Sequence, residues 1–362
     1  MHIALLGPVA PPSGGVQSHM ESLARLLRAA GVRVSLIAIT RSQPIVREGV
    51  FYPSGPVALL KTLFEIKADV VHLHVGGDFS TRLVLLTAAI AALPGIQSLL
   101  TFHSGGYPTS PKGLRASWRS PEAFALRRLD ACIAVNLEIA DLFRRFGVSR
   151  DRISVIAPYA RIDRSRIASV LPDEMAEFVR AHSPLLLSVG MLEPEYSLEL
   201  QIEAFESIGK QWPAAGLMLI GSGAMEAQLR ERISKSPFVD RIRIQGNVDH
   251  SVALRAIELA DVLLRTTQYD GDAVSVREAL QLGTAVVASN TALRPPGVAL
   301  MASLDAAELS RVCSTTLSEA REKSSAASAE APIEDELNRV LALYQSLLAD
   351  RGRSGAELRA SN

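Results

Sequence analysis

The stretch Tyr269-Asp270-Gly271-Asp272-Ala273-Val274-Ser275-Val276-Arg277-Glu278-Ala279-Leu280 decides how this chain is read. It follows the apolar run Ala260-Asp261-Val262-Leu263-Leu264, which reads as a buried parallel strand, and it leads into Val276-Arg277-Glu278-Ala279-Leu280-Gln281-Leu282, which reads as a helix. Open α/β sheets bind ligands at such strand-to-helix junctions. Backbone N–H groups at the helix start meet a phosphate there. Asp270 before the helix and Glu278 one turn inside it are placed to accept hydrogen bonds from sugar hydroxyls. Two other readings of the same residues stand beside this one. Ser275-x-x-Glu278 is also a capping box, in which Glu278 bonds backbone at the helix start. Asp270-Gly271-Asp272 is also a D-x-D sequence, a pattern able to hold a divalent metal through paired oxygens.

Outward from this point, strands are read near residues 184–189, 216–220, 241–245, 261–265 and 284–288, alternating with helical segments. Helix Leu198 to Ile208 sets Leu198, Ile202, Phe205 and Ile208 on one face, a spacing for core packing. A first series of strands precedes it, near 2–6, 33–39, 69–73, 97–102, 131–135 and 153–157. The two series predict two doubly wound α/β halves. The boundaries read from the sequence are 1–168 for the first domain and 169–320 for the second, with a linker over Ala320 to Ala331. A C-terminal amphipathic helix follows over 333–350, and 351–362 reads as a mobile polar tail.

The N-terminal strand His2-Ile3-Ala4-Leu5-Leu6 runs into Gly7-Pro8-Val9-Ala10-Pro11-Pro12-Ser13-Gly14-Gly15-Val16 and then an amphipathic helix. On its own, Gly14-Gly15 is no more than a tight strand-to-helix turn. Together with Asp270 and Glu278, which have seven residues between them, and Gly283-Thr284-Ala285-Val286-Val287-Ala288 after them, it resembles the retaining glycosyltransferases of family four, also called glycosyl transferases group 1. The first glutamate of that family's E-x7-E element is an aspartate here. Similar segments cover most of residues 1 to 305 in the family's order. The resemblance implies the GT-B fold, two Rossmann-like domains facing a cleft, with the C-terminal helix crossing back to the N-terminal domain.

The resemblance also implies roles. Asp270 would hold donor-sugar hydroxyls and Glu278 the ribose hydroxyls, while Gly271, Ala273 and Val274 would offer backbone to the diphosphate. His103, in Leu99-Leu100-Thr101-Phe102-His103-Ser104-Gly105, matches the family's histidine near the donor sugar. Gly14 and Gly15 match its glycine-rich donor loop. Gly221-Ser222-Gly223 matches the glycine pair beneath the base, and Gly246-Asn247-Val248 the segment that reads it, so Gly221, Gly223, Asn247 and Val248 join the donor set. The reaction implied is transfer from a UDP- or GDP-sugar to a glycan or polyprenyl-diphosphate-linked acceptor with retention, without cofactor or metal ion. His72 and His74 alternate with apolar residues on one strand and read as packing or wall residues, not as a metal site.

One departure stands out. After the strand corresponding to Leu185 to Val189 the family carries Gly-Arg-Leu and, five residues beyond the arginine, a lysine. This chain has Gly190-Met191-Leu192-Glu193-Pro194-Glu195-Tyr196-Ser197, so Met191 and Tyr196 stand where two phosphate-binding cations are expected. Arg265, Arg277 and Arg294 are the replacements considered, with Arg265 favoured because it ends the strand leading into the motif. A catalytically silent relative that binds a nucleotide sugar or a partner glycosyltransferase is the alternative to an enzyme, and a hydrolysing epimerase on the same fold is a third reading.

Composition agrees with two ordinary α/β cores: 362 residues, 48% hydrophobic, at a prior of roughly 150 residues per domain. The longest apolar stretch, Leu83 to Ile96, is broken by Pro94 and falls short of the roughly 18 residues of a spanning helix. His2 to Leu6 lacks the basic flank of a signal peptide. Cys132 and Cys313 are the only cysteines and imply neither disulfides nor a cysteine metal site. A cytoplasmic enzyme is the reading, with possible peripheral contact at the inner face of a membrane. Net charge is zero, yet residues 1–168 hold 20 Lys plus Arg against 11 Asp plus Glu, and the remainder 18 against 27. The basic half reads either as a solvated arginine-rich surface or as attraction to anionic lipid or a lipid-diphosphate acceptor. Nucleic acid is not expected, because no stacking aromatics are read among the arginines.

Overall fold

The computed structural model describes residues 1–9, 15–40, 44, 47–158, 162, 164–291, 294–323 and 336–360. The chain divides into two compact units, Met1–Ala160 with Glu334–Asn362, and Arg161–Ile333.

The first unit runs β1 (His2–Gly7), α1 (Gly15–Ala29), β2 (Arg33–Ala38), β3 (Val50–Phe51), α2 (Pro56–Ile66), β4 (Val70–Val75), α3 (Thr81–Ala91), β5 (Gln97–Phe102), α4 (Pro111–Leu114), α5 (Pro121–Leu126), β6 (Ala131–Ala134), α6 (Leu137–Arg145) and β7 (Ile153–Val155). Its sheet is parallel, in the order β3-β2-β1-β4-β5-β6-β7. The central strands β1 and β4 are buried along their whole length because helices cover both faces. In β1, Ala4 and Leu6 enter the core with Leu63, Phe102 and Phe143, while Ile3 and Leu5 enter the opposite one with Leu23 and Leu27. Serine and asparagine start the helices as their capping chemistry dictates. Asn136 Oδ1 accepts from Ile139 N at 2.8 Å, and Ser80, Ser110 and Ser120 accept likewise at α3, α4 and α5.

The second unit runs α7 (Asp173–Ala181), β8 (Leu185–Val189), α8 (Leu198–Gln211), β9 (Gly216–Ile220), α9 (Glu226–Ser234), β10 (Ile242–Gly246), α10 (His250–Leu259), β11 (Val262–Arg265), α11 (Val274–Leu282), β12 (Ala285–Ser289), β13 (Val298–Met301) and α12 (Ala306–Lys323). Its parallel sheet has the order β10-β9-β8-β11-β12-β13. The α8 face read from the sequence is in the core, with Leu198, Ile202, Phe205 and Ile208 all buried, each contributing roughly 1.5–3 kcal/mol. Gly283 ends α11 at φ 84°, a left-handed cap that glycine takes without steric cost.

Helix α13 (Glu336–Ala360) belongs with the first unit. Its Val340 and Tyr344 are buried in the core shared with α1 and β1. The helix continues over residues 351–360, where the sequence reads as a tail, because its backbone ladder propagates beyond the anchored turns. Two edge strands, β3 and β13, two and four residues long, are not among the strands read from the sequence. The stretch read as a linker is helical as far as Lys323, and its remainder lies outside the described residues.

Candidate active site

The C-terminal ends of β8, β9, β10 and β11 build the site in the second unit. Here the loops after β8 and β9 run in close contact. Gly190 N donates to Ile220 O at 3.0 Å, Leu192 N to Ser222 O at 3.0 Å, and Gly221 N to Gly246 O at 2.9 Å. A Cβ on Gly221 would lie 1.7 Å from Gly190 O, and one on Gly223 2.4 Å from Leu192 O. Both glycines are therefore required by backbone approach, before any ligand is considered. Asn247 Nδ2 donates to Ser222 Oγ at 2.7 Å, which fixes the loop after β10 to the loop after β9. Val248 packs against the core of this unit.

Asp270 is clamped by two arginines. Arg265 donates from Nε to Oδ2 at 2.9 Å and from Nη2 to Oδ1 at 3.3 Å, and Arg294 Nη1 donates to Oδ2 at 2.9 Å. Thr267 Oγ1 donates to the same oxygen at 3.2 Å and accepts from Arg294 Nη2 at 3.0 Å. Burial alone would push the Asp270 carboxyl up; Arg265 and Arg294 reverse this and hold it below the ordinary carboxylate value. Burial likewise opposes the charge on Arg265, and Asp270 outweighs it, so that guanidinium is held more firmly charged. Two guanidiniums on one carboxylate leave the cluster with one net positive charge.

Arg265 lies beside Tyr196, one of the two positions where a cation was expected. Its guanidinium lies over the Tyr196 ring, 4.7 Å from the centroid, and Nη1 comes within 3.1 Å of where a Gly190 Cβ would be. The ring of Tyr196 packs over Gly190 as well. The Arg265 guanidinium thus reaches position 196 from the end of β11. Met191 is exposed. Arg277 has a different task, donating from Nε and Nη2 to Asp272 at 2.6–2.9 Å. Each aspartate of the D-x-D sequence is therefore bound to arginine.

Glu278 sits on α11, buried, with Oε1 2.6 Å from His250 Nε2. It is not half of a capping box: Ala273 caps the helix without a side-chain bond, and Ser275 Oγ donates to Val189 O at 3.4 Å. Ala273 is buried, and Val274 opens the helix just after Gly271, so the positive end of the α11 dipole faces the Asp270 loop.

In the first unit His103 follows β5, its N–H donating to Val75 O at 2.7 Å. His74 Nδ1 is 3.2 Å from His103 Nε2, and the His19 ring, from α1, stands 5.1 Å from that of His103 and 5.4 Å from that of His74. His72 is held between Tyr344 Oη and Thr101 Oγ1, both at 2.6 Å. Burial lowers all four histidines, His19 to about 4 and the others well below their ordinary value, so they are neutral imidazoles near neutral pH. Gly15 begins α1 with open space around it. Gly14 lies outside the described residues. The sequence reading did not find His19, His250 or the Arg294 clamp. The only available signal for His19 was its place four residues after Gly15, on the apolar face of α1.

A surface of the first unit corrects the reading that aromatics are absent from the arginine-rich region. Leu114, Trp118, Phe124 and Leu137 are exposed. Arg119 covers the Trp118 ring at 4.8 Å and Arg128 the Phe124 ring at 3.4 Å. The two aromatics stand next to or four residues from an arginine, within cation–π reach.

A family model described as Glycosyltransferase Family 4 matches residues 13–164, and one described as Glycosyl transferases group 1 matches residues 173–301. With its two parallel sheets and strand-end loops, the chain is a GT-B glycosyltransferase and belongs to glycosyltransferase family four. It is 26% identical over 311 residues to the phosphatidyl-myo-inositol mannosyltransferase of Mycolicibacterium smegmatis, covering 79% of this chain and 76% of that one. Among solved structures it resembles sucrose-phosphate synthase from Thermosynechococcus elongatus, at 18% identity and TM-score 0.69 over 100% of both chains. It also resembles Anabaena HepE in complex with UDP-glucose, at 14% identity and TM-score 0.69 over 99% of this chain and 100% of that one. At these identities the structural likeness speaks for the fold. Among the described residues no helix is long and apolar enough to cross a membrane.

Proposed function

We propose that this chain moves a sugar from a nucleoside-diphosphate sugar, with UDP or GDP as the carrier, to a glycan or lipid-linked acceptor with retention of configuration. The observation that carries this reading is Arg265, lying against Gly190 and Tyr196 with Asp270 and Arg294 behind it. The cluster's surplus positive charge, next to the start of α11, suits a diphosphate. As the glycosyl bond breaks, the sugar becomes oxocarbenium-like and charge gathers on the leaving diphosphate. Arg265 and the α11 amides stabilise that charge. Asp270 orients the donor sugar, Glu278 accepts from the ribose, and His103 lines the sugar site. The relative's acceptor, a phosphatidylinositol, together with the exposed Trp118 and Phe124 among arginines, supports an acceptor at a membrane surface and a place in cell-surface glycan assembly at its inner face.

The test is a panel of UDP-, GDP- and ADP-sugars read first by thermal shift and then by product analysis, since a ligand of the native state raises Tm. Retention is read from the anomeric configuration of the product. A second reading is favoured by Met191 and Tyr196 in the cationic positions: a silent relative that binds donor or a partner transferase without turnover. Donor binding with no transfer under any acceptor would establish it.

A further inference from the structure

The first unit carries a cluster in which two members have no task in the transfer reaction. His19 lies on the buried face of α1, His74 near the end of β4 and His103 just after β5. One ring nitrogen of each lies within 4.8 Å of the other two. His19 Nδ1 and His74 Nε2 are buried without a hydrogen-bond partner among the described residues. Buried polar atoms left unpaired are rare in folded proteins, and the unpaired His19 Nδ1 in this cluster points to a group that would satisfy it.

We propose that His19, His74 and His103 form a three-histidine site for a transition-metal dication of the zinc class, with the fourth coordination position open. The donor set selects the metal: imidazole nitrogen suits zinc, copper and nickel, whereas magnesium and calcium take oxygen, and no carboxylate belongs to the cluster. Zinc–nitrogen bonds of about 2.0–2.1 Å set tetrahedral ligand nitrogens roughly 3.4 Å apart. His74 Nδ1 and His103 Nε2, at 3.2 Å, already meet that spacing, with Nδ1 as the His74 ligand, and the wider separations, up to 4.8 Å, would have to close as the ion binds. His72, its ring 4.0 Å from that of His74, is not a ligand, because Tyr344 and Thr101 engage both of its nitrogens. His103, partly exposed, gives the ion its way in. Under the proposed transfer reaction, metal at this place withdraws His103 from the donor, so the ion acts as an inhibitor.

The experiment uses the full chain, free of any histidine tag and stripped with a chelator, titrated with Co²⁺ and then Zn²⁺ in the absence of donor. One equivalent of Co²⁺ with the intense visible bands of four-coordination, displaced by Zn²⁺, is expected. His19→Gln, His74→Gln and His103→Gln should each weaken binding roughly tenfold or more, while His182→Gln leaves it unchanged. Binding that survives all three substitutions, a six-coordinate spectrum, or no bound equivalent at micromolar metal overturns the site. Melting of each metal-free variant is recorded alongside, and where the buried His19 or His74 variant does not fold, His103→Gln alone decides. Because no donor is present, failure of the metal site leaves the transfer reaction untouched.

Discussion

His250 Nε2 lies 2.6 Å from Glu278 Oε1, so the carboxylate assigned to the ribose already has a partner within its own unit. A carboxylate accepts about four hydrogen bonds, and one imidazole leaves capacity for a hydroxyl pair while fixing the side chain on α11. The pairing separates a binding role for Glu278 from a capping role.

Glu278→Gln should keep the fold and weaken donor binding by about 1.5–3 kcal/mol, the worth of a hydrogen bond to a charged group. Gln still accepts from His250, and the helix start does not depend on the side chain. Calorimetric titration with the donor nucleotide, set beside the melting curve, checks both halves. A fall in Tm with unchanged affinity would remove Glu278 from the site.

Under the proposed reaction, in which Asp270 orients the sugar at the reacting carbon, Asp270→Asn should lower turnover more than donor affinity. It should also destabilise the protein, at or below the lower end of the about 3–5 kcal/mol seen when a buried ion pair loses one partner, since Asn keeps part of the bonding to Arg265 and Arg294. Steady-state kinetics with chemical denaturation measure the two effects; wild-type turnover in the variant would exclude Asp270 from the mechanism.

The same residue sets a pH dependence. Its carboxyl is held below its unfolded value of about 3.9. Its contribution is therefore complete above that value and disappears as pH falls through the folded value. Wild-type stability should drop steeply below about pH 4, and the Asp270→Asn variant should show a shallower acid limb. Denaturant midpoints measured from pH 3 to pH 6 would show parallel limbs if Asp270 were not involved.

Under the proposed reaction, in which Arg265 is the main charge partner of the diphosphate, Arg265→Ala should abolish measurable donor binding. Met191→Arg with Tyr196→Lys, which restores the family's cations, should leave affinity unchanged or reduce it: position 196 faces the Arg265 guanidinium, and Glu193 and Glu195 are close in sequence. Full affinity in the Arg265 variant, or a large gain in the double variant, overturns the replacement.

The arginine-rich surface of the first unit should bind anionic vesicles with an affinity that falls as ionic strength rises from low to physiological, where the Debye length shrinks to about 8 Å. Trp118→Ser with Phe124→Ser should weaken what remains at the higher salt, as apolar insertion is lost. Flotation with phosphatidylserine-containing vesicles reads both; salt-independent binding, or none, indicates a solvated surface.

Much of this was legible locally. Continuous apolar runs bounded by Gly and Pro announced the central strands, because a strand covered on both faces has no polar side. The Leu198–Ile208 face followed from helical period alone. Asp270 and Glu278 were visible because their spacing spans one strand-to-helix junction. The edge strands β3, of two residues, and β13, only partly buried, were not read.

What sequence by itself determined was therefore the series of elements, the two α/β halves and the residues whose chemistry lies within one junction. Only tertiary structure decided that Arg265 stands on Tyr196, that Arg294 shares Asp270, that His250 meets Glu278 and that His19, His74 and His103 gather. These partners are separated by 24 to 84 residues along the chain, or lie on opposite sides of a strand–loop turn. A parallel sheet places such residues together by register and crossover, and neither is encoded in the spacing of any single segment.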